Sequence, residues 1–348
     1  MGNFPIFAQP NCPGDDLNEC PWQQSDRGSQ WTSPIARPGY FAVDLANGVH
    51  AEMTATNRSA LYRFKFSDSS SLSPVILVDL IDLPQSRSNG SASVDPTTGR
   101  LTGSGTFNPS FGDGHYDLHF CADFKGAKVR DTGAWSMKSA NVDETSVSVG
   151  PSTRSAGTFT RFENPASGTI LARVGVSFIS IDQACSNAER EQPNFDFDGT
   201  VSAAEHAWRQ KLNVISVDAD GVSDELQQSF WSGTYRSMIS PQDYTGENPL
   251  WESDEPYYDS YYWYGSFDDS RRVLTRSSIW DSYRSIHPLL TLLDPLSQSR
   301  MIRSLVDIYR HEGYLPDCRM SLCKGFTQGG SNADVVIADA FLKKVIDV

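Results

Sequence analysis

Cysteine is sparse in this chain: Cys12, Cys20, Cys121, Cys185, Cys318 and Cys323 are all that 348 residues contain. No Cys-x-x-Cys pair occurs among them, so neither a zinc site nor a disulfide framework is signalled. Cys12 and Cys20 are close enough to bridge a loop in an oxidising compartment. Cations are in the minority, with 29 Lys plus Arg against 43 Asp plus Glu and a formal net charge of −14. Such a field repels phosphate backbones and gives anionic lipid nothing to hold, which excludes nucleic-acid and membrane-surface roles. Long apolar runs are missing too: Asp79 and Asp82 interrupt the stretch from Val75 to Leu83, so no membrane insertion is expected. The opening Met1-Gly2-Asn3-Phe4-Pro5 has neither the basic region nor the apolar core of a signal peptide, and Ile6 stands where a myristoylation motif needs Ser or Thr. Localisation is therefore unreadable.

What is present is enough to build a core. The hydrophobic share is 39%, with 8 Trp, 13 Tyr and 18 Phe, which rules out disorder as the main state. The length favours two domains, or one very large sandwich with a helical appendage. The first two hundred or so residues alternate in period two and are punctuated by Gly, Ser, Asn and Pro, with helical periodicity hard to find. Tyr116 to Phe124 places apolar side chains at the even positions, and Tyr62, Phe64 and Phe66 alternate with Arg63 and Lys65. The more continuous run from Ile170 to Ile181 predicts a central strand buried on both faces. Two tripeptides, Asn57-Arg58-Ser59 and Asn89-Gly90-Ser91, would accept glycans only in a secreted protein.

The period changes near Ser202, where Ser202-Ala203-Ala204-Glu205 has the form of a capping box followed by Trp208, Leu212 and Ile215. This predicts a boundary between a β domain, 1–201, and a helical domain, 202–348. Further helices are expected from about Ser223, through Ile279 to Leu293 with Pro288 kinking or dividing it, over Ser297 to Arg310, and from Asn332 onward. Between them, Trp251, Tyr257, Tyr258, Tyr261, Tyr262, Trp263 and Tyr264 lie among Asp243, Glu247, Glu252, Asp254, Glu255 and Asp259. Such a segment is either core filling or a platform on which sugar rings stack while carboxylates take the hydroxyls.

The run Ser278-Ile279-Trp280-Asp281-Ser282-Tyr283-Arg284-Ser285-Ile286-His287-Pro288-Leu289-Leu290-Thr291 resembles the Trp-Asp-Thr-Tyr-Arg…His-Pro signature of glycoside hydrolase family 92. Met301 to Leu305, Gly313 to Pro316 and Val336 to Ala340 follow at family spacing, and Arg173 to Ser180 and Asn194 to Asp198 resemble the end of the family's β domain. The likeness is to the fungal branch. It implies a β-supersandwich followed by the first part of an (α/α)6 barrel. It also implies calcium-dependent, inverting exo-α-mannosidase activity on mannose-containing oligosaccharides of glycoproteins or cell-wall mannan. The other outcome is a non-catalytic carbohydrate-binding remnant or a truncated gene product lacking the catalytic base, because the resemblance places the family's Gly-Asn-Asp base segment beyond Val348.

By the same resemblance, Trp280 and Asp281 would bind the terminal mannose and Arg284 would orient Asp281 from one turn away. Without it, Trp280 reads as core and Asp281 as a helix cap. Gln328 suits a sugar and Asn332 a Ca2+ ligand, although Gln328 to Asp334 also reads as a turn in which Asn332 caps the last helix. Counting back from Val336, Cys323 occupies the position of the family's proton-donating Glu. A thiol suits that role poorly, since its reference pKa is about 8.5. Phosphate needs no protonation to leave, so mannose-1-phosphate diesters become a second substrate class; equally, Cys323 is a small buried residue and another group donates the proton. Trp263 to Arg276 reads as an insertion before the signature. His287 is expected to make a structural hydrogen bond. Asp26, Arg27 and Trp31 fall where the family's sandwich loops approach its cleft.

Overall fold

The computed structural model describes residues 3–67, 73–81, 86–108, 114–151, 155–259, 279–316 and 332–345. The chain divides into two compact units, one of residues 1–107 with 117–208 and one of 108–116 with 209–348.

The first unit is an antiparallel sandwich of two sheets. One has five strands in the order β1 (Ile6–Gln9), β6 (Val75–Asp79), β13 (Ala156–Phe162), β10 (Val129–Ser136) and β11 (Ser139–Asn141). The other has nine: β12 (Ser146–Val149), β7 (Arg87–Val94), β8 (Leu101–Phe107), β9 (Tyr116–Lys125), β14 (Thr169–Ser177), β5 (Ser59–Lys65), β4 (His50–Ala55), β3 (Tyr40–Leu45) and β2 (Trp31–Arg37). The alternation read from the sequence is the alternation of these inner faces. Phe64, Ile170 and Ala172 from the larger sheet meet Ala8, Ile76 and Phe162 from the smaller, and Phe120, Ala122 and Val174 meet Val78 and Ala156. At the edge of the larger sheet, β2 carries Pro34, which has no N–H to donate, beside a register shift between Thr32 and Ile35.

The Ile170–Ile181 run gives a central strand, β14, whose outer face is buried at Gly175 and Ser177, but the strands buried along their whole length are others. The Ile170–Ile181 run ends as a strand at Ser177, and Ile181 opens a helix, α1 (Ile181–Glu191), capped by the Ser180 hydroxyl accepting from the Gln183 N–H. That helix lies on the outer face of β14, so close that a Cβ on Gly175 would stand 2.0 Å from the Ala184 carbonyl oxygen. It is fastened by a disulfide between Cys121 of β9 and Cys185, and a second disulfide joins Cys12 to Cys20. Burial along the whole length belongs to β6 and β13, every residue of which is buried. Their far face carries Val75, Leu77 and Phe159, covered by Trp22 and the Cys12–Cys20 loop.

A further helix, α2 (Phe197–Leu212), begins five residues before Ser202, with Asp196 accepting from the Gly199 N–H. The predicted capping box is thus inside a helix. Glu205 pairs with Arg37, and Asp198 pairs with Arg63, whose guanidinium also holds the buried Glu52. Burial opposes the charge on Glu52, but hydrogen bonds from Arg63, Lys65 and Tyr40 hold its carboxyl down at about 2.

Arg27 is likewise a packing residue. It is 3% exposed and pairs with Asp79, which is 0% exposed and also accepts from the Ser155 hydroxyl and the Ile81 N–H. Trp31, by contrast, is 58% exposed on the edge strand, and Asp26 accepts from the neighbouring Ser25 hydroxyl. The loop residues Asp26, Arg27 and Trp31 therefore do not share one role.

The second unit contains α3 (Asp224–Ser237), the short ribbon β15 (Gln242–Asp243) with β16 (Tyr258–Asp259), α4 (Ile279–Ser282), α5 (Ile286–Leu293), α6 (Pro295–Glu312) and α7 (Ala333–Leu342). Ile279, Leu290, Ile302, Leu305, Val336 and Ala340 form its core. The third predicted helix is divided, but before Pro288, which sits in the first turn of α5 where its missing N–H costs no helical bond. Among the described residues no helix is long and apolar enough to cross a membrane.

Replacing Asp79 by Ala strands a buried guanidinium and is expected to cost about 3–5 kcal/mol of stability, read from urea unfolding. The double change Arg27→Met/Asp79→Leu should recover much of that loss. A single Asp79→Ala variant with an unchanged unfolding midpoint would contradict the assignment.

Candidate functional site

The signature run is built as two short helices around a break. Tyr283 and Ser285 donate back to Ile279 and Ser282 at 2.9 and 3.3 Å, closing α4, and Leu289 donates to Ser285 at 2.9 Å, opening α5. Ile279 at 0% and Leu290 at 3% exposure anchor both helices in the core of the unit.

Trp280 and Asp281 lie in α4 by backbone, while their side chains are outside the described residues. Arg284 falls in the break, exposed, with its guanidinium 5.1 Å from the centroid of the Tyr283 ring. Asn332 is 8% exposed and occupies the cap position of α7, yet its side chain does not bond the first-turn N–H groups. It is engaged in another interaction. Cys323, Gln328 and the insertion from Trp263 to Arg276 lie outside the described residues, as do Tyr261, Tyr262 and Tyr264.

The aromatic and acidic segment before the signature is largely internal packing, which narrows the stacking-platform reading. Tyr257 and Tyr258 are each 4% exposed. Tyr258 donates its N–H to the Ser304 hydroxyl at 3.0 Å and its phenol to Asp243 at 3.3 Å, where Arg300 also pairs at 2.8 Å. Burial, reinforced by the Asp243 charge, pushes that phenol well above its ordinary range. Glu255 pairs with Arg303 and Arg310 on α6. The Trp251 indole donates to Asp307 at 3.0 Å and stacks on the His311 ring with centroids 4.7 Å apart. Asp243, Glu255 and Asp307 therefore orient this segment on α6. Glu252 and Asp254 remain exposed.

The sequence reading missed the Trp251–Asp307–His311 cluster, although the i,i+4 spacing of Asp307 and His311 on a predicted helix was its available signal. Among the described residues there is no group of three or more His, Cys, Asp or Glu that could hold a metal ion. Asn332 is the oxygen donor suggested for calcium, and one side-chain amide does not by itself form a calcium cage.

His287 makes the structural bond expected of it. It is 2% exposed, and its Nδ1 lies 3.0 Å from the Oε1 of Gln298 on α6, so Nδ1 carries the proton and α5 is tied to α6. Its Nε2 is buried with no hydrogen-bond partner among the described residues.

An antiparallel sandwich followed by a helical unit that carries a Trp-Asp…His-Pro run defines a two-part protein of β-then-α order. Residues 1–177 match the model described as Glycosyl hydrolase family 92 N-terminal domain, and residues 183–348 match that of the family's catalytic domain. The chain belongs to glycosyl hydrolase family 92.

An uncharacterised secreted glycosidase of Arthroderma benhamiae is 46% identical over 361 residues, covering 100% of this chain and 41% of the relative. Among solved structures, a family 92 inverting mannosidase of Bacteroides thetaiotaomicron superposes with a TM-score of 0.79 at 22% identity, over 99% of this chain and 43% of the other. A family 92 α-mannosidase of the same organism, in complex with mannoimidazole, superposes with a TM-score of 0.79 at 20% identity, over 100% and 45%. These likenesses establish the fold. The chain spans less than half the length of each of these relatives.

Burial holds His287 below its ordinary value of 6.5, against the weaker raising effect of Gln298. The unfolded chain binds that proton as the pH falls through about 6.5 while the folded chain resists it, so stability is full above this range and falls below it. Between pH 7 and pH 5 thermal unfolding should lose up to about 1.4 kcal/mol per pH unit from this group. His287→Gln should flatten that slope. An identical slope in the variant would place the effect elsewhere.

Proposed function

We propose that this chain carries the β-sandwich and the opening helices of an inverting exo-α-mannosidase, with residues 1–201 as the β part and 202–348 as the beginning of an (α/α)6 barrel. The observation that carries the reading is the match of residues 183–348 to the family's catalytic-domain model, with the Trp280-Asp281…His287-Pro288 run inside it. The substrates are terminal mannose residues of N-glycans or mannan. The relatives named as mannosidases support that class by their description alone.

In this proposal Trp280 offers an apolar face to the sugar ring, and Asp281 accepts from its hydroxyls. Arg284 steadies Asp281 from the following turn, and Gln328 adds an amide to the same sugar. Inversion requires an acid at the leaving oxygen and a base that activates water on the opposite face. Cys323 stands at the acid position, and a thiol protonates an alkoxide poorly. A phosphate leaving group departs as a stable anion without that proton, so mannose-1-phosphate diesters are the substrate class this substitution favours. Calcium dependence, with Asn332 as one donor, belongs to the same reading. No step is assigned to the ion, because the described residues supply no cage for it.

Mannose release is the test, measured from α-1,2-mannobiose and from a mannose-1-phosphate diester, with and without a calcium chelator. It should be run on this chain and on a form extended to the relatives' length. Chelator-sensitive release by the extended form is expected, and Asp281→Asn should reduce it by at least about tenfold, the loss of a charge-assisted hydrogen bond. No release from either folded form would favour a binding protein without catalysis.

Cys323→Glu should raise activity on the mannobiose relative to the phosphodiester. An unchanged ratio would remove Cys323 from the leaving-group argument.

A further inference from the structure

We propose that Asn57 is the acceptor of an asparagine-linked glycan. It is the first residue of Asn57-Arg58-Ser59, an acceptor tripeptide with no proline at its centre. Asn57 and Arg58 lie in the turn between β4 and β5, and Ser59 opens β5, which leaves Asn57 in a position open to a bulky modification.

The hydrogen bonds of that turn are made by the residues around Asn57. The Thr56 N–H donates to the Ser59 carbonyl at 2.8 Å, and the hydroxyls of Thr56 and Ser59 meet at 2.7 Å. Glu191, at the end of α1, accepts from the Thr56 hydroxyl at 2.5 Å and from the Arg58 N–H at 2.8 Å. The Asn57 side chain is exposed and takes no part in this network, so the turn keeps its shape whether or not Nδ2 carries a sugar. Asn57 also lines a cavity of about 540 Å³ walled by Phe4, Met53, Tyr62 and Val176, which leaves open volume beside the attachment atom.

The second line of argument is the compartment. Two disulfides, Cys12–Cys20 and Cys121–Cys185, hold this unit together, and such bonds form and persist on the secretory route. Glycan transfer takes place on that same route. The 46% identical relative is described as secreted, in agreement with the disulfides.

The transfer uses a lipid-linked oligosaccharide supplied by the host. Nδ2 of Asn57 forms a bond to the anomeric carbon of the first N-acetylglucosamine and gives up one proton. The bond from that carbon to the lipid pyrophosphate breaks, and the pyrophosphate leaves with the electron pair.

The test is expression of the chain behind a secretory leader in a yeast host. Release of the glycans by peptide N-glycosidase in heavy-oxygen water, followed by peptide mass mapping, then reads occupancy. Asn57 should be recovered as labelled Asp, and Asn57→Gln and Ser59→Ala should each remove one glycan from the intact mass. Asn89→Gln, at the other acceptor tripeptide, separates any second glycan from the one assigned to Asn57. Should secretion fail, translation into microsomes gives the same reading, because transfer precedes folding there. An unmodified Asn57 peptide from disulfide-bonded secreted protein, or from translocated microsomal chains, overturns the proposal.

Discussion

The sandwich depends on the burial of one ion pair. The smaller sheet has apolar side chains on both faces, and only one face meets the larger sheet. Its other face would be open to water without the loop that carries Trp22 and the Cys12–Cys20 disulfide. Arg27 holds that loop down by donating to the Trp22 carbonyl and pairing with Asp79 at the end of β6, with its guanidinium 5.2 Å from the Trp135 ring centroid. Desolvating two charges is expensive, so such a pair contributes little net stability compared with an apolar replacement. Its contribution is placement. A guanidinium with one buried carboxylate to reach accepts one loop position, whereas apolar contact alone would tolerate several.

The larger sheet meets the same problem with helices, and here the sequence was hard to read for a physical reason. The buried residues of α1 are Ala184, Asn187 and Ala188, small or polar groups that fit against Gly175, so no apolar stripe announces the helix. Its other fastening, Cys185 to Cys121, spans 64 residues of sequence, which no local spacing rule detects. The start of α2 was displaced because Ser202 and Glu205 have the spacing of a cap. In the folded unit Glu205 is spent on Arg37, and Ala204 lies against Gly39, where a Cβ would stand 2.6 Å from its methyl carbon. By contrast β5, β9 and most of β14 were legible, because Phe64, Phe120, Ala122, Ile170, Ala172 and Val174 stand at alternate positions toward the partner sheet and period two survives in the residues themselves.

The aromatic segment shows the limit of counting. Tyrosines and carboxylates at high density suit a sugar platform and a polar-rimmed core equally well by composition. Register separates the two: pairing Asp243 with Tyr258 turns the Tyr258 N–H to Ser304 and its hydroxyl to Asp243. Two of the acids that suggested hydroxyl recognition, Asp243 and Glu255, instead hold Arg300 and Arg303. No feature of the linear sequence distinguishes a carboxylate aimed at a sugar from one aimed at the next helix.

The same distinction divides the signature run. Its His-Pro end is architectural: Pro288 occupies a first-turn position that needs no N–H, and His287 ties α5 to α6 through Gln298. Its beginning, Trp280 and Asp281, rides on α4, a helix of four residues in which Ile279 is buried in the core of the unit. A helix so short has little stability of its own, since a single turn fixes several dihedrals for one hydrogen bond. The placement of Trp280 and Asp281 therefore depends on the burial of Ile279 and on the fixed entry into α5. A run that joins two candidate sugar-binding residues to a buried histidine and its proline can thus be read as one device, in which the second half positions the first.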